Sequence, residues 1–141
     1  MSRPDISEVV AAVRKYNEQF ADGTIRLADL DQLSNVATRL GAYKVYLGEY
    51  LAELERDADL AEAHREQVRE RAYRDAREGG KTQADSDNIK RLEGDLATAE
   101  WIEAKYQFKT VANLWRDSDR LIDTLRSRLS YKKTEMRDSN Q

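Results

Sequence analysis

Seven-residue spacing of large apolar side chains constrains this chain more than any other feature. Trp101, Phe108, Trp115, Ile122 and Leu129 recur every seven positions, with Ala104, Val111, Ser118 and Leu125 at the alternate seam position. Leu33, Leu40, Leu47 and Leu54 keep the same spacing upstream, with Val36, Tyr43 and Tyr50 between them and Leu30, Ala37 and Leu51 widening the stripe. A seven-residue period keeps one stripe of a helix turned toward a partner helix, whereas a strand would alternate every two. The spacing therefore predicts an all-α chain built on two long helices.

Helix stops complete the plan. Asp5 with Glu8 resembles a capping box, and Ile6, Val9, Val10, Val13 and Phe20 follow at helical spacing until Asp22-Gly23 closes a short helix over about 5–21. Met1 to Pro4 read as a tail. A long helix over about 28–78 follows. Its stripe thins to Leu60, His64, Val68 and Ala72, with Asp57 to Asp59 as the place for a kink, and Gly79-Gly80 ends it. Lys81 to Ala84 read as a loop, and Asp85 or Ser86 as the cap of a third helix over about 86–135. The whole chain, 1–141, reads as a single helical domain.

Roughly 50 residues at 1.5 Å each make each long helix about 75 Å, and a short loop forces the two antiparallel. Folding about that loop sets residue i opposite about 164 − i, which puts Gly48 near Trp115 and Gly41 near Ile122. Both glycines then read as room for a bulky neighbour. A second apolar line, Ile89, Leu92, Leu96, Ala99, Ile102, Tyr106, Leu114 and Leu121, runs beside the Trp101 seam. The short first helix covers about a third of one arm, so apolar surface is left over. The expectation is a homo-oligomer.

Several function classes are disfavoured. The chain has no cysteine, which excludes disulfides and thiolate metal sites. His64 is its only histidine and has no convergent ligands on its face. Carboxylates such as Glu49, Glu53, Glu66 and Glu70 belong to charged helix faces, with Arg56 and Arg74 at supporting spacing. No phosphate-cradling glycine loop or nucleophile motif is present. The expectation is a protein that is not an enzyme, without metal or cofactor. No apolar run reaches the length of a membrane span and no signal-type segment opens the sequence, so a cytoplasmic location is expected.

Two basic clusters interrupt an acidic balance of −3. The first is Arg65, Arg69, Arg71, Arg74, Arg77 and Lys81, diluted by Glu66, Glu70, Asp75 and Glu78. The second is Arg126, Arg128, Lys132, Lys133 and Arg137, diluted by Glu135. Each reads either as a solvated face or as a track for phosphates, with Tyr73 and Tyr131 placed to stack bases.

The order of these features resembles the phage UvsY-type recombination mediators. Ala42-Tyr43-Lys44-Val45-Tyr46-Leu47 is similar to that family's aromatic segment, and Arg69-Glu70-Arg71 to its basic step before a glycine-containing loop. Ile122-Asp123-Thr124-Leu125-Arg126-Ser127-Arg128, with Lys132, Lys133 and Glu135-Met136-Arg137, is similar to its closing segment. The likeness spans roughly Asp29 to Arg137, as pattern more than identity. Two features depart from the family pattern: the acidic balance and a shorter glycine loop. The resemblance implies a ring-like homo-oligomer (a hexamer or heptamer) that binds single-stranded DNA and helps a RecA-like recombinase displace single-strand-binding protein. It implies Arg69 and Arg71 as DNA contacts, Arg126, Arg128, Lys132 and Lys133 in DNA binding or assembly, and the stripe of Trp101, Phe108, Val111, Trp115, Ile122, Leu125 and Leu129 as the ring interface. The alternatives are a helical scaffolding or adaptor protein of phage morphogenesis that assembles without nucleic acid, and an inhibitory helical module with a protein partner.

Overall fold

The computed structural model describes residues 3–26 and 29–140. Among these residues the chain is all-α: α1 spans Ile6–Ala21, α2 Leu30–Glu78, α3 Gln83–Glu93 and α4 Asp95–Ser139. The expected start of the second helix at Ala28 lies outside the described residues.

The helix ends follow local chemistry, and several differ from expectation. Asp5 precedes α1 but its carboxylate makes no capping bond, so the expected capping box does not form. Asp22 closes α1, and Gly23 turns the chain at a φ of +80°. The Asp22 carboxylate accepts from the Thr24 backbone N–H at 2.8 Å. Bonds from the Thr24 side chain and backbone hold its pKa below the usual value. Asp29 accepts from the Gln32 N–H at 3.1 Å and so caps α2.

α2 ends in a Schellman motif: Lys81 N–H reaches the Ala76 carbonyl at 3.0 Å and Gly80 N–H the Arg77 carbonyl at 3.1 Å. Gly80 takes the left-handed position, φ +85°. The next cap is Thr82, not Asp85 or Ser86, because the Thr82 hydroxyl accepts from the Asp85 N–H at 3.1 Å. Ser86 is instead buried, donating its hydroxyl to the Thr82 carbonyl at 2.7 Å.

The expected single helix from 86 to 135 is interrupted at Gly94 and runs on to Ser139. The interruption is slight. Gly94 N–H still reaches the Lys90 carbonyl at 3.1 Å, and Thr98 N–H the Gly94 carbonyl at 2.9 Å. Helical phase therefore carries from α3 into α4. At the expected kink, α2 continues as helix through Asp57 to Asp59.

The chain divides into two compact units. The first combines Met1–Leu51 with Val111–Gln141; the second is Ala52–Thr110. The first unit holds three helical stretches and the large core residues. Leu33, Leu40, Leu47, Leu125, Val9 and Val13 are fully buried, and each such side chain contributes about 1.5–3 kcal/mol of transfer free energy. Leu114 and Leu121, from the second apolar line, are buried there too. Ser118 occupies a seam position at no exposure because its hydroxyl donates to the Leu114 carbonyl at 2.8 Å. At the N-terminal end, the Tyr50 hydroxyl donates to the Pro4 carbonyl at 2.6 Å, and Arg3 lies 4.0 Å over the Tyr50 ring.

The second unit is built differently. Its buried apolar residues among those described are alanines: Ala58, Ala76 and Ala97. It has two helical layers, so larger side chains on the outer faces have nothing to pack against. Leu60, Leu92, Leu96, Ile102 and Tyr106 stand exposed.

Candidate nucleic-acid and assembly surfaces

Within each unit, cross-helix pairs recur whose residue numbers add to 163. In the first unit, Lys44 pairs with Asp119 and stacks 4.5 Å over Trp115, which lies against Gly48. In the second, Arg65 meets Thr98, Arg69 meets Gly94, and Lys90 lies 5.8 Å over Tyr73. The expected room-making role of the glycines is corrected by this geometry. A Cβ on Gly48 would sit at ordinary van der Waals distance from Trp115, 3.7 Å, and one on Gly41 would meet nothing within 4 Å.

The first basic cluster is largely committed to the second unit's own structure. Arg65 is only 20% exposed in its side chain; its Nε donates to Thr98 Oγ1 at 2.9 Å and its guanidinium stacks 4.9 Å over Trp101. The Arg69 stem packs on Gly94, where the absent Cβ leaves space. Arg74 pairs with Glu70 at 3.4 Å on the surface, a bond of at most about 1 kcal/mol. Arg77 donates to the Lys81 carbonyl at 3.3 Å and braces the turn. Arg71 and Lys81 remain, lining an open groove of about 520 Å³ with His64, Asp75 and Glu93. Its two carboxylates set against these cations make it a poor phosphate track. Tyr73, half-buried beneath Lys90, is likewise not presented for stacking.

The second cluster is presented differently. Arg126, Arg128, Lys133 and Arg137 are exposed and form no ion pair among the described residues, while Lys132 pairs with Glu135 at 3.5 Å. At 100° per residue, Arg126, Lys133 and Arg137 fall within about 40° of one another, a single ridge on α4 with Ser130 beside it. Arg128 and Lys132 lie on another side of the helix, near the exposed ring of Tyr131. Residues 120–137 carry six cations against two carboxylates.

The expected assembly stripe also changes. Val111 (4% exposed), Ile122 (3%) and Leu125 (0%) are covered by the chain itself, and Trp101, Phe108, Trp115 and Leu129 are half-buried. The Val111, Ile122 and Leu125 part of that stripe is spent on the interior of a single copy. What stays open is the upstream part of the second line, from Leu92 to Tyr106. Periodicity records that line but does not tell which of two neighbouring stripes turns inward.

No group of three or more His, Asp or Glu side chains able to hold a metal ion occurs among the described residues. No described helix is long and apolar enough to cross a membrane. Comparison with protein families, with curated proteins and with solved structures finds no match to this chain.

Proposed function

We propose that this chain is a non-enzymatic, self-associating helical protein that binds single-stranded DNA and acts as a recombination mediator. In this reading it helps a RecA-like recombinase replace single-strand-binding protein. The observation that carries the DNA-binding part is the ridge of Arg126, Lys133 and Arg137, exposed and without ion pairs among the described residues. Guanidinium and ammonium groups aligned along one helix face match a phosphate backbone, and Tyr131 offers a ring to bases from the neighbouring side. The loading role rests on the resemblance of the α2 aromatic segment and the α4 closing segment to UvsY-type mediators. Within each unit, pairs adding to 163 support the antiparallel pairing of helices expected from the short loop.

The test is polarisation of labelled oligo(dT) across a salt series. Binding should weaken with salt at a log–log slope of about −0.7 per phosphate contacted. Replacing Arg126, Lys133 and Arg137 together by alanine should flatten that slope by roughly 2. Absence of binding at about 20 mM salt, where screening of surface charge is weak, would sink the DNA reading. A scaffolding or adaptor role is the second reading, favoured by the open apolar line on the second unit. It predicts assembly indifferent to oligonucleotide.

A further inference from the structure

The second unit carries an apolar line with nothing over it. Leu92 is 55% exposed, Leu96 73%, Ile102 57% and Tyr106 63%, and Ala99 lies exposed at the middle. Steps of four, three, three and four residues join them, which keeps them on one helix face. Helical phase is kept through Gly94, so Leu92 shares that face although it belongs to α3. The opposite face turns Gly94 and Ala97 inward.

The two edges of this line differ in charge. At 100° per residue, Arg91, Lys105 and Lys109 fall on one side of it, and Glu93, Glu100 and Glu103 on the other. All six are exposed. Asp95 is the one acidic residue on the basic side.

We infer that this face docks a second copy of the chain, with the two helices parallel and in register. In a parallel pair, each helix lays one edge against the opposite edge of its partner. The basic edge of one copy then meets the acidic edge of the other, twice over by symmetry. An antiparallel pair would set each edge against its own kind, Arg91 beside the partner's Lys109, and like charges at contact oppose association. The parallel register stacks Leu92, Leu96, Ile102 and Tyr106 each on its own copy, and the small Ala99 side chains let the helices approach at the axis. The same patch on both subunits is what an isologous interface requires. The inference rests on the self-association in the proposed function and supplies its surface and symmetry.

The absence of cysteine makes the test direct. Leu92→Cys, Ala99→Cys and Tyr106→Cys, made singly, should each form a disulfide-linked dimer on mild oxidation. Asp57→Cys, exposed on α2, should link about tenfold less, because docking raises the effective concentration only at the interface. Linkage through Ala99→Cys alone would indicate an antiparallel pair and overturn the register, and linkage at no position above the control overturns the docking. Leu96→Lys should reduce the sedimentation mass of the native protein from dimer or larger to monomer without loss of helical circular dichroism. A native chain that is monomeric at high concentration overturns the inference and leaves the face to a different protein. Oligo(dT) polarisation on the Leu96→Lys protein separates the two proposals: retained binding with unaltered mass sinks the pairing and spares the DNA reading.

Discussion

The indole Nε1 of Trp115 lies 3.7 Å from the point where Gly48 would carry a Cβ. That spacing is contact without overlap, so the glycine is tolerated by its neighbour rather than required by it. The helix itself prefers alanine, because glycine leaves more backbone freedom to be lost on folding.

Gly48→Ala should therefore raise the unfolding free energy by up to about 1 kcal/mol, the propensity difference. Gly41→Ala, with nothing within 4 Å of its Cβ, should do the same. Urea titrations followed by circular dichroism measure both. A loss of stability at Gly48 would mean that the Trp115 ring packs closer than this geometry gives.

Gly94 is the opposite case. A Cβ there would come within 2.6 Å of Arg69 Cγ and 3.1 Å of the Lys90 carbonyl oxygen. The clash involves the root of the arginine side chain, which cannot swing aside without moving its whole stem. Gly94→Ala should cost about 1 kcal/mol even after the helix-propensity gain, within the range for overpacked sites. Most of that cost should vanish in an Arg69→Ala background. The coupling in this double-mutant cycle is the decisive quantity; additive effects would show that Arg69 and Gly94 do not touch.

These two glycines show what was legible in the sequence. Heptad spacing marked the helices, because periodicity fixes which residues share a face; the glycine stops marked their approximate limits, and folding about the short loop paired Gly48 with Trp115. Periodicity could not show that Arg69, far upstream in the chain, packs where Gly94 lacks a Cβ. Nor could it sort the basic clusters. Arg65 and Arg126 look alike in sequence, but only the structure sets Arg65 on Trp101 and leaves Arg126 in solvent. The two apolar lines were ambiguous for a related reason. Leu114 and Leu121 are buried in a unit with three helical stretches, whereas Leu92 and Leu96 belong to a unit with two layers.

Leucines of equal hydrophobicity should then respond unequally to truncation. Leu40 is fully buried and Leu60 is 58% exposed. Leu40→Ala should cost about 2–5 kcal/mol through lost transfer energy and a residual cavity. Leu60→Ala should stay within about 0.5 kcal/mol of the parent. Thermal melts of the two variants side by side check this, and equal losses would contradict the burial pattern.

Amide hydrogen exchange should resolve the same asymmetry along single helices. Protection tracks the buried apolar contacts that must break for a segment to open. Around Leu40 and Leu47 in α2, and Leu121 and Leu125 in α4, opening would expose fully or nearly fully buried leucine and isoleucine side chains. In the second unit it would expose mainly Ala58, Ala76 and Ala97, each worth far less than a leucine on area. Amides of 55–78 and 95–108 should therefore exchange about tenfold faster than those of 36–47 and 114–125 in dilute protein, a gap of about 1.4 kcal/mol in opening free energy. Raising the protein concentration should slow exchange selectively in 92–106, where a second copy docks, because binding to the closed form stabilises it by mass action. Concentration-independent exchange there would count against the pairing, and uniform protection along α2 would count against a weakly buried second unit.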